Sequence, residues 1–224
     1  MIIDKNYKNM KRLKNGNYCI EGDLKVDEDL EVNLDDWLEV QGSIQAKGKI
    51  ASKKTIKAGH GIKAGHGIEA GWGIEAGNGI EAGWGIEAGW GIEAGWGIEA
   101  GDGIEARDGI EAGDGIEAGN GIKAGDEIKA GHGIEAGWGI EAGWGIEAGL
   151  SITAKYISSK LRIFAGLAIW KKVKKEDMQI NVEEVKDGEI CYGELNIIKQ
   201  IKQLTKKEAE EELSKKYDCE VRIN

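Results

Sequence analysis

From Ile56 to Ile152, isoleucine returns at every sixth position without a miss. Between isoleucines the pattern is apolar, charged, small, then Gly-x-Gly, as in Gly67-Ile68-Glu69-Ala70-Gly71-Trp72. An alternation of period two predicts a strand, with Ile68 and Ala70 pointing inward and Glu69 outward. Gly71-Trp72-Gly73 predicts a tight corner, its glycines expected to supply positive φ. Strand and corner are each too short for a helix or a hairpin. They predict a three-sided parallel β-solenoid in which three hexads make one coil, and each hexad buries its isoleucine only by stacking on the coil beneath. Each buried isoleucine contributes roughly 1.5–3 kcal/mol. The chain has no proline, as expected when every strand donates to a ladder on both sides.

The apolar grid extends upstream. Ile20, Val26, Val32, Leu38, Ile44 and Ile50 fall on the register of Ile56, with Leu24, Leu30, Val40 and Ala46 as further inward positions. Ile20 to Ile152 spans 23 hexads, or seven to eight coils and a rod roughly 35–40 Å long. The solenoid is therefore expected over 20–170. Residues 1–19, with Lys8, Lys11, Arg12 and Lys14, form a charged cap on the first coil. The register fails at Ser158, although Leu161, Ile163, Leu167 and Ile169 still alternate and predict one or two more strands. Residues 171–224 read as a small α+β C-terminal cap domain. It has strands over 180–192 turning at Asp187-Gly188, a helix opened by the capping box Thr205-Lys206-Lys207-Glu208 and running to about Tyr217, and a last strand over 219–223. The fold class is thus an all-β parallel β-helix with a small α+β C-terminal domain.

Charge sharpens the picture. The net charge of −10 is confined to the regular repeat: residues 56–154 carry 5 basic and 17 acidic groups, whereas the flanks are close to balanced. Cys19, Cys191 and Cys219 form no Cys-x-x-Cys pair, and an odd count argues against a disulfide framework. The basic, polar N-terminus has no apolar signal region, and no run of about 18 apolar residues exists to span a membrane. A cytoplasmic protein is expected.

Candidate binding residues lie at the variable sixth position. Positions three hexads apart stack, so one corner carries His60, Asn78, Trp96, Asp114, His132 and Leu150. The second carries His66, Trp84, Asp102, Asn120 and Trp138, and the third Trp72, Trp90, Asp108, Asp126 and Trp144. Tryptophans Trp72, Trp84, Trp90, Trp96, Trp138 and Trp144 flank an acidic belt at 102–126. Corner tryptophans serve either as contacts for a partner, since tryptophan is enriched at binding hot spots, or as stacked shields over the turn backbone. Arg107 and Glu127 break the glycine rule, and Lys123 and Lys129 replace the outward glutamate, within the same belt.

Glutamates such as Glu87, Glu93, Glu99 and Glu105 place about one carboxylate per 1.6 Å of axis, close to the ~1.7 Å per charge of duplex DNA. Such a surface either mimics nucleic acid or simply solvates a flat sheet. Asp108 over Asp126 is the best stacked acidic pair, but aspartate at a tight corner is ordinary turn chemistry, and the three histidines never occupy adjacent coils, so no metal or cofactor is expected. Lys171, Lys172, Lys174 and Lys175 form a basic cluster that could touch RNA or an acidic partner.

The hexad resembles, in period, the left-handed β-helix of hexapeptide-repeat acyltransferases, which implies a solenoid and, as a remote alternative, acyl transfer. No inserted loop interrupts 56–152, and the threonine ladders of β-helical ice-binding proteins are absent. Gly22-Asp23-Leu24-Lys25-Val26 through Leu38-Glu39-Val40-Gln41-Gly42-Ser43-Ile44 is similar to bactofilins, which implies a rod able to polymerise end to end. The Gly-Ile-Glu-Ala-Gly unit resembles repeats of uncharacterised proteins from low-GC bacteria and their phages. An acidic rod also resembles, in principle, pentapeptide-repeat DNA mimics carried by mobile elements. The expectation is a non-enzymatic binding protein: an inhibitor or nucleic-acid mimic acting on a nucleic-acid-handling protein such as a phage-defence (CRISPR-type, hence anti-CRISPR) nuclease. A bactofilin-like, self-assembling homo-oligomeric scaffold is the alternative.

Overall fold

The computed structural model describes residues 1–198. It is a parallel β-solenoid with strands on three faces, each strand pairing with the one three hexads away. On face 1, Ile56–Ala58, Ile74–Ala76, Ile92–Ala94, Ile110–Ala112, Glu127–Ala130 and Gly145–Ala148 pair in parallel. Face 2 stacks Ile62–Ala64, Ile80–Ala82, Ile98–Ala100, Ile116–Ala118 and Ile134–Ala136. Face 3 stacks Ile68–Ala70, Ile86–Ala88, Ile104–Ala106, Ile122–Ala124 and Gly139–Ala142. The pairing sets Ile on Ile, Ala on Ala and, at most outward positions, Glu on Glu. The interior is therefore a continuous column of isoleucines, each at most 1% exposed from Ile44 to Ile157, with alanines filling the narrower places between them. Face 2 carries ten strands from Leu24–Val26 to Glu194–Ile197, so the rod has about ten turns rather than seven to eight.

The glycines act differently from the expectation. Positive φ occurs at Gly16, Gly22, Gly166, Gly188 and Gly193, all outside the strict repeat. Within it, the two glycines of a corner face unequal constraints. At Gly95, a Cβ would lie well under 3.0 Å from the carbonyl oxygen of Gly77 in the coil below. At Gly97, it would lie 3.3 Å from the oxygen of Gly115 in the coil above. The first glycine permits close approach of two backbones; the second is looser, and Thr55, Glu127 and Ser151 stand in its place elsewhere. Arg107 occupies a first-glycine position, and its ladder bond to the Ala88 carbonyl, 3.2 Å, is only slightly longer than the 2.8–3.1 Å at the equivalent glycines.

Both ends depart from the predicted grid. Tyr18, Leu24 and Leu30 pair with Leu38, Ile44 and Ile50, so this coil is longer than those of the strict repeat. The added length sits in the corner at 33–37, with Leu34 buried there. Ile20, Val26 and Val32 therefore occupy the third strand position, where later coils place alanine, and not the place of Ile56. Both positions face inward, so a shift by an even number of positions leaves the pattern of burial intact. Ile2–Ile3 adds in parallel beneath Leu30–Val32, and Met10–Arg12 runs antiparallel beneath Tyr18–Ile20.

At the other end the coil is one position short. Ile157 pairs with Ile140 and Ile163 with Ile146. A shift of one exchanges the faces, so the inward role passes from the even positions of the repeat to Ile157, Ser159, Ile163 and Ala165, all buried. Leu161 shares their parity but falls at a corner, where its N–H donates to the Trp144 carbonyl, and Leu167 and Ile169 lie beyond the end of the strand. These three are 54%, 41% and 99% exposed. The ladders then run on past residue 171. Gln179–Val182 pairs with Ile152–Thr153, Glu184–Tyr192 with Tyr156–Ala165, and Glu194–Ile197 with Gln179–Val182. With Leu195 on Ile180 the final coil is shorter still, and the expected turn at Asp187-Gly188 is a corner in which Gly188 takes φ +106°. The helix expected from Thr205 and the strand over 219–223 lie outside the described residues.

Candidate binding collar

Consecutive hexads land on consecutive faces, so side chains near in sequence encircle the rod. Trp84, Glu87, Trp90, Glu93, Trp96 and Glu99 alternate around one coil, with tryptophan at each corner and glutamate on each face. Glu105 belongs to the next coil, beside Asp102, Asp108, Glu111, Asp114 and Glu117, where every corner carries aspartate and every face glutamate. Trp72 lies one coil below the tryptophan ring; Trp138 and Trp144 lie above the acidic belt. The six tryptophans thus form two collars, not one patch.

The corner columns combine stacking with exposure. Trp72 and Trp90 stack with ring centroids 4.6 Å apart and planes 8° from parallel, and Lys54 Nζ sits 3.6 Å from the centre of the Trp72 ring. His66 stacks under Trp84 at 4.4 Å. Lys155 Nζ lies 4.2 Å from the centre of the Trp138 ring. Despite this, Trp84, Trp96, Trp138 and Trp144 remain 55–62% exposed and Trp90 44%. The coil spacing lets rings pack face to face, but the coil above Trp84, Trp90 and Trp96 carries Asp102, Asp108 and Asp114, and no ring or cation stacks on these indoles from that side among the described residues. Trp72 is therefore a packed shield over its turn, whereas the other five keep large apolar area in water.

Nine successive outward positions, from Glu69 to Glu117, are glutamate. Lysines close the ends of this ladder. Lys49 bridges Glu69 at 2.6 Å, Lys57 pairs with Glu75 and Lys63 with Glu81 below; Lys123 lies 3.5 Å from Glu105 above. Glu87, Glu93, Glu99, Glu111 and Glu117 have no cation within salt-bridge reach among the described residues. On face 2, above Lys63, the column Glu81, Glu99, Glu117, Glu135 runs through four coils without a further lysine. Like charges directly across a strand pair repel, so this surface is held in place by the isoleucine column beneath it.

Glu127 stands apart. It replaces a corner glycine, and burial, together with the nearby Glu147 and Glu111 carboxylates, pushes its pKa up despite the opposing Lys129. A carboxyl with a raised folded pKa binds more protons folded than unfolded. Its ionisation lowers stability as pH rises through the interval between its unfolded and folded values. Glu127→Gln is therefore expected to raise the thermal midpoint at pH 7. The gain should shrink as pH falls through that interval and vanish below it, which melts followed by circular dichroism across pH 4–7 will show.

Lys171, Lys174 and Lys175 are ion-paired with Asp177, Glu176 and Glu194, at 3.0, 3.2 and 2.8 Å, whereas Lys172 makes no ion pair among the described residues. This segment lies between Ala165 and Gln179, and from it Trp170 reaches back to His132, ring centroids 4.8 Å apart. The basic cluster belongs to this segment and not to the tryptophan coil, and three of its four lysines are paired with their own neighbours. Among the described residues, no group of three or more His, Cys, Asp or Glu side chains is placed to hold a metal ion, and no helix is long and apolar enough to cross a membrane. Cys19 is buried, which pushes its thiol pKa up, and Cys191 is exposed.

Each corner column and each outward glutamate is legible in the sequence. What the residues alone left unseen is that Trp84, Trp90, Trp96, Glu87, Glu93 and Glu99 share one coil directly beneath a ring of six carboxylates, although the coil period carries that signal. No protein-family model, curated protein or solved structure matches this chain, so the resemblances to other repeat proteins rest on their motifs alone.

Proposed function

We propose that this protein is a non-enzymatic binding protein: an acidic rod that occupies a basic, nucleic-acid-binding cleft on another protein. The consequence would be inhibition of a nucleic-acid-handling protein, with a bacterial defence nuclease as the leading class. One observation carries this reading. The nine outward positions from Glu69 to Glu117 make three full coils of carboxylate, and the ring formed by Glu87, Glu93 and Glu99 has no internal counter-charge. At about 4.8 Å per coil, the axial charge density approaches that of duplex DNA. A cleft built to displace counterions from phosphate would meet an equivalent field here, and exposed corner tryptophans add apolar anchors that a bare polyanion lacks. Converting Glu87, Glu93, Glu99 and Glu105 to lysine should abolish partner binding while leaving the fold intact, because all four project from the surface. Retention of binding by that variant would defeat the reading.

Self-assembly is a second reading with its own support. Face 2 has no strand paired beneath Leu24–Val26 or above Glu194–Ile197 among the described residues, and Leu195 and Ile197 are 46% and 42% exposed. Such edges are the surfaces through which solenoids join end to end.

A further inference from the structure

The three corners above the tryptophan ring are alike. Asp102 follows Trp84 in its column, Asp108 follows Trp90, and Asp114 follows Trp96; in each case the upper residue's backbone N–H donates to the tryptophan carbonyl, at 3.3, 3.3 and 3.1 Å. Each corner thus sets an indole on one coil and a carboxylate on the next. Where the next coil supplies a ring, as Trp90 does for Trp72, that ring covers the indole face. Aspartate is too short to do so, and the exposures of 56%, 44% and 60% at Trp84, Trp90 and Trp96 match open upper faces. The Asp108 carboxylate has no hydrogen-bond or ion-pair partner among the described residues. That of Asp102 receives only a long 3.5 Å contact from Asn120, and that of Asp114 lies 3.6 Å from His132 Nδ1.

The molecule also shows what fills such a slot. Lys54 Nζ covers one face of Trp72 and Lys155 Nζ covers Trp138, at 3.6 and 4.2 Å from the ring centres. At both places the coil spacing admits a cation onto the indole. Above Trp84, Trp90 and Trp96 the adjacent corner residue is an aspartate instead of a lysine, so the indole lies one coil from a carboxylate and has no lysine or arginine over it among the described residues.

We infer that Trp84–Asp102, Trp90–Asp108 and Trp96–Asp114 are three seats for arginine side chains of a protein partner. A planar guanidinium stacks on the indole and donates to the carboxylate at once, which an ammonium does less well. Single-stranded nucleic acid also stacks on exposed tryptophan, but the glutamates on either side of every seat repel phosphate. Charge therefore selects a basic protein segment. This inference rests on the acidic-rod reading and names the chemistry by which the rod would be held.

The test uses the full chain and three fluorescent probes, octa-arginine, octa-lysine and an oligothymidine of twelve nucleotides, with binding read by anisotropy at low and moderate salt. Octa-arginine is expected to bind about tenfold tighter than octa-lysine. Trp84→Ala, Trp90→Ala and Trp96→Ala together leave the charge unchanged and should weaken octa-arginine about tenfold or more, with much less effect on octa-lysine. Asp102→Asn, Asp108→Asn and Asp114→Asn together should weaken octa-arginine more than Glu135→Gln, Glu141→Gln and Glu147→Gln, which remove the same number of charges outside the seats. This second pair keeps the test decisive should the tryptophan variant fail to fold. If both seat variants bind octa-arginine no worse than their controls, with strong salt dependence retained, the seats are overturned while the acidic-rod reading stands. If neither cationic peptide binds the wild-type chain at low salt, both fall. Tighter binding of the oligothymidine than of octa-arginine overturns the assignment to a protein partner.

Discussion

Gly95→Ala is expected to destabilise the protein by about 3 kcal/mol, the upper part of the range for overpacking, whereas Gly97→Ala, two positions away, should cost less than about 1 kcal/mol. Both residues flank the exposed Trp96, and both are glycines of the same corner, so composition and helix or strand propensity do not separate them. Geometry does. A methyl group at position 95 would run into the backbone carbonyl of Gly77, an oxygen fixed in the ladder of the coil below. A flexible side chain could turn aside, but a backbone oxygen moves only with its own strand, an adjustment the rod makes where Arg107 stands at an equivalent of position 95. At position 97 the nearest atom is the Gly115 oxygen at 3.3 Å, and Thr55, Glu127 and Ser151 at equivalent places show that a side chain fits. Urea or thermal unfolding of the two single variants measures the difference. Equal effects would mean that backbone freedom, rather than close approach, explains the glycines.

Ile98→Ala should cost about 3 kcal/mol, within the usual 2–5 kcal/mol for truncating a buried isoleucine. Ile98 is 1% exposed and packs in the ladder between Ile80 and Ile116. No large side chain stands ready to collapse into the space, because the other inward positions of these coils are alanine or isoleucines already held in their own ladders. Each coil touches only its neighbours, so the damage should be local, with hydrogen exchange accelerated in the coils around 80–116 and little changed near Ile44. Glu99→Ala, on the same strand but pointing out, should alter stability by no more than about 0.5 kcal/mol, in the stabilising direction because it relieves repulsion from Glu81 and Glu117. A loss at Glu99 comparable to that at Ile98 would show that the outward carboxylates, not the isoleucine column, hold the coils together.

The contrast between the middle of the rod and its ends explains what could be read from the residues alone. Over 56–152 one hexad repeats, so period, parity and the stacking of every third hexad are all visible in the spacing of Ile and Glu. At the N-terminal end, the length added at 33–37 preserves inward parity, and no count of apolar positions distinguishes Ile20 at a third strand position from Ile56 at a first. At the C-terminal end, a coil one position short before Ile157 reverses parity. Ile157 and Ile163 then carry the ladder, while Leu161 falls at a corner and Leu167 and Ile169 past the strand, in water despite alternating with Ile163. The glycines misled for another reason: a sequence shows where a side chain is absent, not whether φ or a neighbouring backbone requires it. For the candidate site, columns at each corner were legible, and Trp84, Trp90 and Trp96 followed by Asp102, Asp108 and Asp114 stand in the sequence at the coil period. The pairing of Lys49 with Glu69 is off that period. It and the pairing of Lys171, Lys174 and Lys175 with Asp177, Glu176 and Glu194 depend on side-chain reach between corners and loops, which no periodicity encodes.

Binding of a basic, nucleic-acid-handling protein by the unpaired carboxylates around the coil of Glu87, Glu93 and Glu99 is tested most directly by affinity capture. Nuclease-treated bacterial lysate is passed over the wild-type chain and the Glu87→Lys, Glu93→Lys, Glu99→Lys, Glu105→Lys variant as parallel baits. Bound proteins are released by stepping the salt upward, where screening over about 10 Å at 0.1 M weakens contacts between exposed charges, and are identified by mass spectrometry. A nucleic-acid-binding protein is expected on the wild-type bait, eluted by salt and missing from the variant. The same proteins on both baits, or no salt-released protein on the wild type, would contradict the proposed role.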